Sequence, residues 1–159
     1  MDPITLEVVR NSLVATVKEM TDNLVRTAYS PIAAEIKDFS VGLHDANGDS
    51  IMQAPHAAPA FIADLDDTIR AGIALLGPDG LAAGDIVLSN DAATNGQHLN
   101  NMAAYAPIIV DDELVAFAAV RSHWIDVGGK ISGSMPVDGR DIFCEGFQFP
   151  TMKIYRAGK

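Results

Sequence analysis

The sequence predicts an α+β fold, with a long N-terminal helix packed on a mixed, largely antiparallel sheet. Three observations carry that prediction. Apolar residues recur at Leu6, Val9, Leu13, Val17, Met20 and Leu24, in steps that keep one helix face apolar for about seven turns. Two β-rich runs, residues 39–44 and 50–52, flank Asn47-Gly48, a hairpin signal because both residues tolerate positive φ. Two further runs, residues 108–110 and 114–120, are separated only by the acidic turn 111–113.

In chain order, Asp2 can cap the first helix and Pro3 fits its first position; Ser30-Pro31 lies beyond its end. Its stripe suits a subunit interface or the chain's own core, and the core is the reading adopted here. Residues 59–76 carry Phe61, Leu65, Ile69 and Ile73 at four-residue steps, hence a second helix, closed by Gly77-Pro-Asp-Gly80. The acidic run Asp64, Asp66 and Asp67 reads as its solvated face. Residues 85–88 form a short strand, 89–101 a polar loop, and 149–159 a strand running into a turn. No repeat or linker divides the chain, so 1–159 reads as a single domain.

The 159 residues are 48% hydrophobic and 20% charged, enough for a packed core. A net charge of −10 argues against nucleic acid or an anionic membrane as partner. No apolar run approaches the ~20 residues of a membrane span, and the N-terminus lacks the basic and apolar regions of a signal peptide. The lone Cys144 cannot form an internal disulfide, which suits a reducing cytoplasm; its Ile-Phe-Cys setting reads as a small buried hydrophobe.

The chemistry concentrates in Arg121-Ser-His-Trp-Ile-Asp-Val-Gly-Gly129, directly after a buried strand. Strand ends hand side chains to pockets from a rigid base, and imidazole with carboxylate suits a divalent transition metal. A second polar cluster, Asn90-Asp91 and Gln97-His98-Leu-Asn-Asn101, lies upstream. Asp38, His98, His123 and Asp126 could together supply a metal site. The alternative is that His123 and Asp126 bond to each other and hold the glycine loop, with Asn90, Asn100 and Asn101 as turn formers. His44 reads as an ordinary surface residue, and His56 as a loop residue that is structural or lines a pocket. No phosphate-binding glycine motif and no Gly-x-Ser-x-Gly elbow occurs.

Taken in order, Asp2-Pro-Ile-Thr-Leu-Glu-Val-Val-Arg-Asn11, Lys37-Asp-Phe-Ser40, Asn90-Asp91, His98-Leu99, Arg121 to Gly129, Gly133-Ser-Met-Pro136 and Glu145-Gly-Phe-Gln-Phe-Pro150 resemble the hydantoinase B/oxoprolinase family over essentially the whole chain. The match is to the N-terminal part of much longer family members, which implies a fragment of a longer subunit. The resemblance implies a cytoplasmic hetero-oligomer with a hydantoinase A-type subunit that binds ATP and phosphorylates the substrate. The B-type subunit then completes hydrolysis of a cyclic amide at a divalent metal (Zn, Mn or Fe), and ATP is not bound by this chain.

Matched position by position, the resemblance assigns Asp38, His98, His123 and Asp126 to metal, and Asp91, Asn101, Trp124 and Gln148 to substrate or to support of the ligands. No catalytic acid or base is singled out. In the family's Thr-His-Leu-Pro-Asp motif this chain has Gln97-His-Leu-Asn-Asn101, so Asn101 replaces an aspartate. Trp124 replaces a second histidine and reads as an apolar wall for substrate. Asn90-Asp91-Ala92-Ala93 lacks a common Pro-Tyr, and Gln148 lies near where the carboxylase branch would place a histidine. Two alternatives follow: a subunit of an ATP-dependent ketone carboxylase of acetone or acetophenone type, and a metal-free structural or interaction module.

Overall fold

In the computed structural model, which describes residues 2–55, 61, 64–77, 80–95, 97–133 and 136–159, six strands form one sheet in the order β2-β1-β5-β4-β3-β6. The strands are β1 (Phe39–Asp45), β2 (Ser50–Gln53), β3 (Ile86–Ser89), β4 (Asn101–Val110), β5 (Glu113–His123) and β6 (Met152–Tyr155). The expected α+β class holds, and all five pairings are antiparallel. Helix α1 (Pro3–Thr27) and helix α2 (Leu65–Leu76) are the two long helices.

Helix α1 begins as its sequence dictates, with Asp2 Oδ1 accepting from the N–H groups of Ile4 and Thr5 at 3.0 Å. Its second half packs as expected: Leu13, Val17, Met20 and Leu24 meet Phe39, Val41 and Leu43 of β1, with Ala118 and Val120 of β5 alongside. Its first turns do not. Leu6 is 57% exposed and Val9 41%, so the stripe covers the chain's own core only from Leu13 onward.

Helix α2 covers the opposite face, where Leu65 and Ile69 pack on Val87, Ala103, Tyr105, Phe117 and Ala119. Alternation along β5 produces this division: Phe117, Ala119, Arg121 and His123 point to one face, while Ala118 and Val120 point to the other. Of the expected second helix, residues 59, 60, 62 and 63 lie outside the described residues, as does His56.

The acidic run on α2 is not a solvated face. Asp64 pairs with buried Arg121, and Asp66 Oδ1 lies 3.0 Å from Nδ1 of His44. Only Asp67, paired with Arg70, is largely exposed. His44 is fully buried rather than superficial, because its β1 position faces α2.

Strand β4 starts seven residues earlier than its β propensity suggests. Ala103, Ala104, Ala106 and Pro107 are weak strand formers, yet β5 templates all four on one side, and β3 pairs Ala103 and Ala104 on the other. Pairing with β3 ends at Tyr105, so the missing N–H of Pro107 costs no bond to β3. The turn that joins β4 to β5 places Asp111 and Asp112 at positive φ, as a tight hairpin requires.

Two predictions follow from this packing. Gly72 faces Tyr105 so closely that an added Cβ would stand 1.6 Å from its hydroxyl oxygen. Gly72→Ala should therefore lose about 1–3 kcal/mol in urea unfolding, although alanine normally favours a helix. Burial pushes the His44 imidazole below its ordinary range, against the opposing pull of Asp66. The unfolded chain then takes up the proton first, so this stability is full above about pH 6.5 and is lost as pH falls through the lowered value. His44→Gln should flatten that part of the stability–pH curve, measured by urea unfolding across the acidic range.

Candidate functional site

Strand register places three of the singled-out residues in one row. Asn101 of β4 pairs with His123 of β5, and the His123 N–H donates to the carbonyl of Asp38, just before β1. Asp38, His123 and Asn101 thus stand side by side where three strands end. His98 folds back over the row from the preceding loop, its ring 5.1 Å from that of His123 and tilted by 41°.

His123 is nearly buried and engaged at both ring nitrogens. Nδ1 lies 3.2 Å from Asn101 Oδ1 and 3.9 Å from Asp38 Oδ2, and Nε2 lies 2.9 Å from the carbonyl oxygen of Gly133. Nδ1 of His98 is buried and has no hydrogen-bond partner among the described residues. Burial and then the neighbouring His123 push the His98 imidazole down, against Glu145, the Asn101 side chain and Asp38.

Asp126 does not join this row. Its carboxylate accepts from the Gly128 N–H at 2.7 Å and from the Ser132 hydroxyl at 3.0 Å, contacts that hold it below the ordinary carboxylate range. It therefore shapes the glycine loop by itself, not through a bond to His123. The loop needs its glycines: Gly128 has φ +81°, and a Cβ on Gly129 would stand 2.2 Å from the Glu145 carbonyl oxygen.

Asp91 and Gln148 lie elsewhere. Gln148 Nε2 donates to Asp91 Oδ1, and the two line a separate groove with Phe143, Phe147 and Pro150. Among the described residues no contact joins either to His98 or His123. Trp124 is 43% exposed and lines an apolar groove with Tyr29, Met102 and Val120, next to His123 and Asp126.

Asn90 acts as a staple rather than a turn former, and Asn100 both sits in the turn closed by the Asn101 N–H on the His98 carbonyl and staples the next segment. Asn90, fully buried, donates to the carbonyls of Leu99 and Phe147, and Asn100 donates to that of Trp124. Cys144 is free and partly buried.

The donor chemistry of Asp38, His98 and His123 fits a divalent ion: two imidazoles, one with an unpartnered buried nitrogen, and a carboxylate. Among the described residues, however, no three His, Cys, Asp or Glu groups converge closely enough to form a ready-made cage.

Sequence reasoning missed Asp64, Gln97 and Arg121 as parts of the site's support. Arg121 is fully buried; its Nη1 donates to Asp64 and its Nη2 to Thr68 Oγ1 at 2.9 Å. Burial pulls the guanidinium down to about 10, which leaves it charged at neutral pH. The signal was present: Arg121 occupies an inward position of β5 between Ala119 and His123, and a charge there demands an acid.

The family model for hydantoinase B/oxoprolinase matches residues 2–159, and the chain belongs to that family. It is 31% identical over 159 residues to caprolactamase subunit beta of Pseudomonas jessenii, covering all of this chain and 27% of that protein. It is 31% identical over 158 residues to a 5-oxoprolinase of Dictyostelium discoideum, covering 99% of this chain and 12% of that protein. The crystal structure of the ATP-dependent caprolactamase from Pseudomonas jessenii matches with a TM-score of 0.90 at 29% identity, over 100% of this chain and 27% of that one. A nucleotide-free acetone carboxylase structure shares the fold, with a TM-score of 0.89 at 22% identity, over 99% of this chain and 21% of that one. The chain spans about a quarter or less of the length of these relatives. Among the described residues, no helix is long and apolar enough to cross a membrane.

Asp64→Ala would strand the Arg121 charge in the interior, so it should cost about 3–5 kcal/mol in denaturant unfolding. Asp67→Ala, at an exposed ion pair on the same helix, should change stability by less than about 1 kcal/mol.

Proposed function

We propose that this chain is part of the B-type subunit of an ATP-dependent cyclic-amide hydrolase of hydantoinase or oxoprolinase type. The observation that carries the reading is the row Asp38, His123 and Asn101 across three strand ends, with His98 folded over it. Membership of the family, and the likeness to a caprolactamase subunit, support it.

In this reading Asp38, His98 and His123 hold a divalent metal (Zn, Mn or Fe). Bound there, the ion supplies Lewis acidity and lowers the pKa of a bound water. The chain's own groups orient that chemistry. Asn101 fixes the His123 ring, Asp126 shapes the glycine loop beside it, and Trp124 with Tyr29 and Met102 offers an apolar wall to the carbon skeleton of the substrate. A partner of the hydantoinase A type binds ATP and phosphorylates the substrate carbonyl, converting a poor amide electrophile into an activated one.

Asn101, neutral where the family pattern has a carboxylate, together with the absence of a tight acidic cage among the described residues, favours a second reading, a metal-free interaction module.

Metal content separates the two. The full-length protein, purified with its partner and without chelators, should carry stoichiometric Zn, Mn or Fe by inductively coupled plasma mass spectrometry. Asp38→Ala and His123→Ala should lose it together with ATP-dependent ring opening. A folded, partner-bound sample without metal would transfer the lead to the interaction module. Labelled bicarbonate incorporated with ATP and a ketone would replace hydrolysis by carboxylation.

A further inference from the structure

A groove of about 700 Å3 opens beside His123, and its lining sorts ligands by charge. The sheet contributes Met102, Ala104 and Val120; the end of α1 and the residues after it contribute Leu24 and Tyr29. Trp124 and Ile125, directly after β5, complete the apolar surface. Tyr29, Trp124 and Ile125 all leave much of their surface uncovered. The polar groups are as informative. Thr27, Ser30 and Ser122 bring hydroxyls, and Asp126 brings a negative charge. Among the described residues, none of the chain's 11 lysines and arginines lines the groove. Arg26, the neighbour of Thr27, donates to Asn23 Oδ1 at 2.7 Å, and Arg121 is committed to Asp64 and Thr68.

We propose that this groove takes an uncharged cyclic amide with a hydrocarbon ring and rejects one that carries a carboxylate. A ring carboxylate would leave water to stand among apolar side chains, with no cation to pair it and Asp126 to repel it. Ring carbons gain from the same surface that penalises the charge. The volume lies within the range of small-molecule sites, roughly 300–1,000 Å3. Because the groove borders His123, a small ring bound there lies next to the row of Asp38, His123 and Asn101. The proposal deepens the hydrolase reading above and rests on it for the cyclic amide, but selection by charge does not depend on any metal.

The test is affinity by isothermal titration calorimetry, on the full-length protein with its partner and without nucleotide. ATP-dependent ring opening of the same ligands is measured beside it. The probes are 2-piperidone and 6-oxopiperidine-2-carboxylate, one ring without and with the carboxylate. The neutral ring should bind roughly 100-fold more tightly to wild type. Thr27→Arg sets a cation in the groove from an exposed helix position. It should narrow that gap roughly 10-fold, by strengthening the carboxylated ring alone.

Equal or tighter binding of the carboxylated ring to wild type overturns the proposal, and leaves the hydrolase reading in place if either ring is opened. A gap that a folded Thr27→Arg does not move also overturns it, because binding then lies outside the groove. So does failure of both rings to bind, the result expected if further protein fills the groove. The expected affinities without any ring opening would keep selection by charge and overturn the hydrolase reading alone.

Discussion

A guanidinium with no solvent exposure has to be neutralised where it stands, and most of the site's geometry depends on how Arg121 is neutralised. Asp64 at the start of α2 supplies the charge and Thr68, one turn on, a further acceptor. Asp64 occupies the position from which an aspartate would ordinarily cap the helix, yet its side chain makes no capping bond. The carboxylate is spent on Arg121 and Gln97 instead. That exchange ties the start of α2 to Arg121, two residues before His123 on β5, and to Gln97, beside His98.

The same residue pins the strand register. Side chains alternate along β5, so a slip of one residue would carry Arg121, His123 and Phe117 to the face covered by α1. There the guanidinium would meet the apolar cluster of Val17, Val41 and Leu43 in place of Asp64. Apolar packing on two faces would resist such a slip, but the cost of an unpaired buried charge makes it prohibitive. Correct register then brings Asp38, His123 and Asn101 abreast without any help from the loops.

What could be read from the sequence divides along the same physical line. Periodicity reports burial of apolar groups, so the second half of α1, the α2 core face, the hairpins and β5 were legible. The start of β4 was not, because Ala103, Ala104 and Pro107 gain their strand conformation from neighbours on the sheet rather than from propensity. Polar contacts that cross the fold were hidden for a similar reason. Asp64, Asp66 and Asp67 look alike as a run, yet Asp64 meets Arg121 57 positions away and Asp66 meets His44 on another strand. Within the site, Asp38, His98, His123 and Asp126 were grouped by resemblance; the fold brings the first three together, whereas the Asp126 carboxylate is engaged by Gly128 and Ser132.

The departures from the family's Thr-His-Leu-Pro-Asp pattern gain a physical meaning together. Read alone, Asn101 is a lost negative charge beside His123. In the fold its amide group donates to Gln97 while its oxygen lies 3.2 Å from His123 Nδ1, and a carboxylate could not make the first contact because it has no hydrogen to donate. An aspartate at 101 would set a carboxylate oxygen against the Gln97 oxygen, acceptor against acceptor. A threonine at 97 would have a shorter reach toward Asp64. Glutamine and asparagine in these two positions therefore form a matched pair: each amide is useful because the other is an amide, and both take their orientation from the buried charge on Asp64.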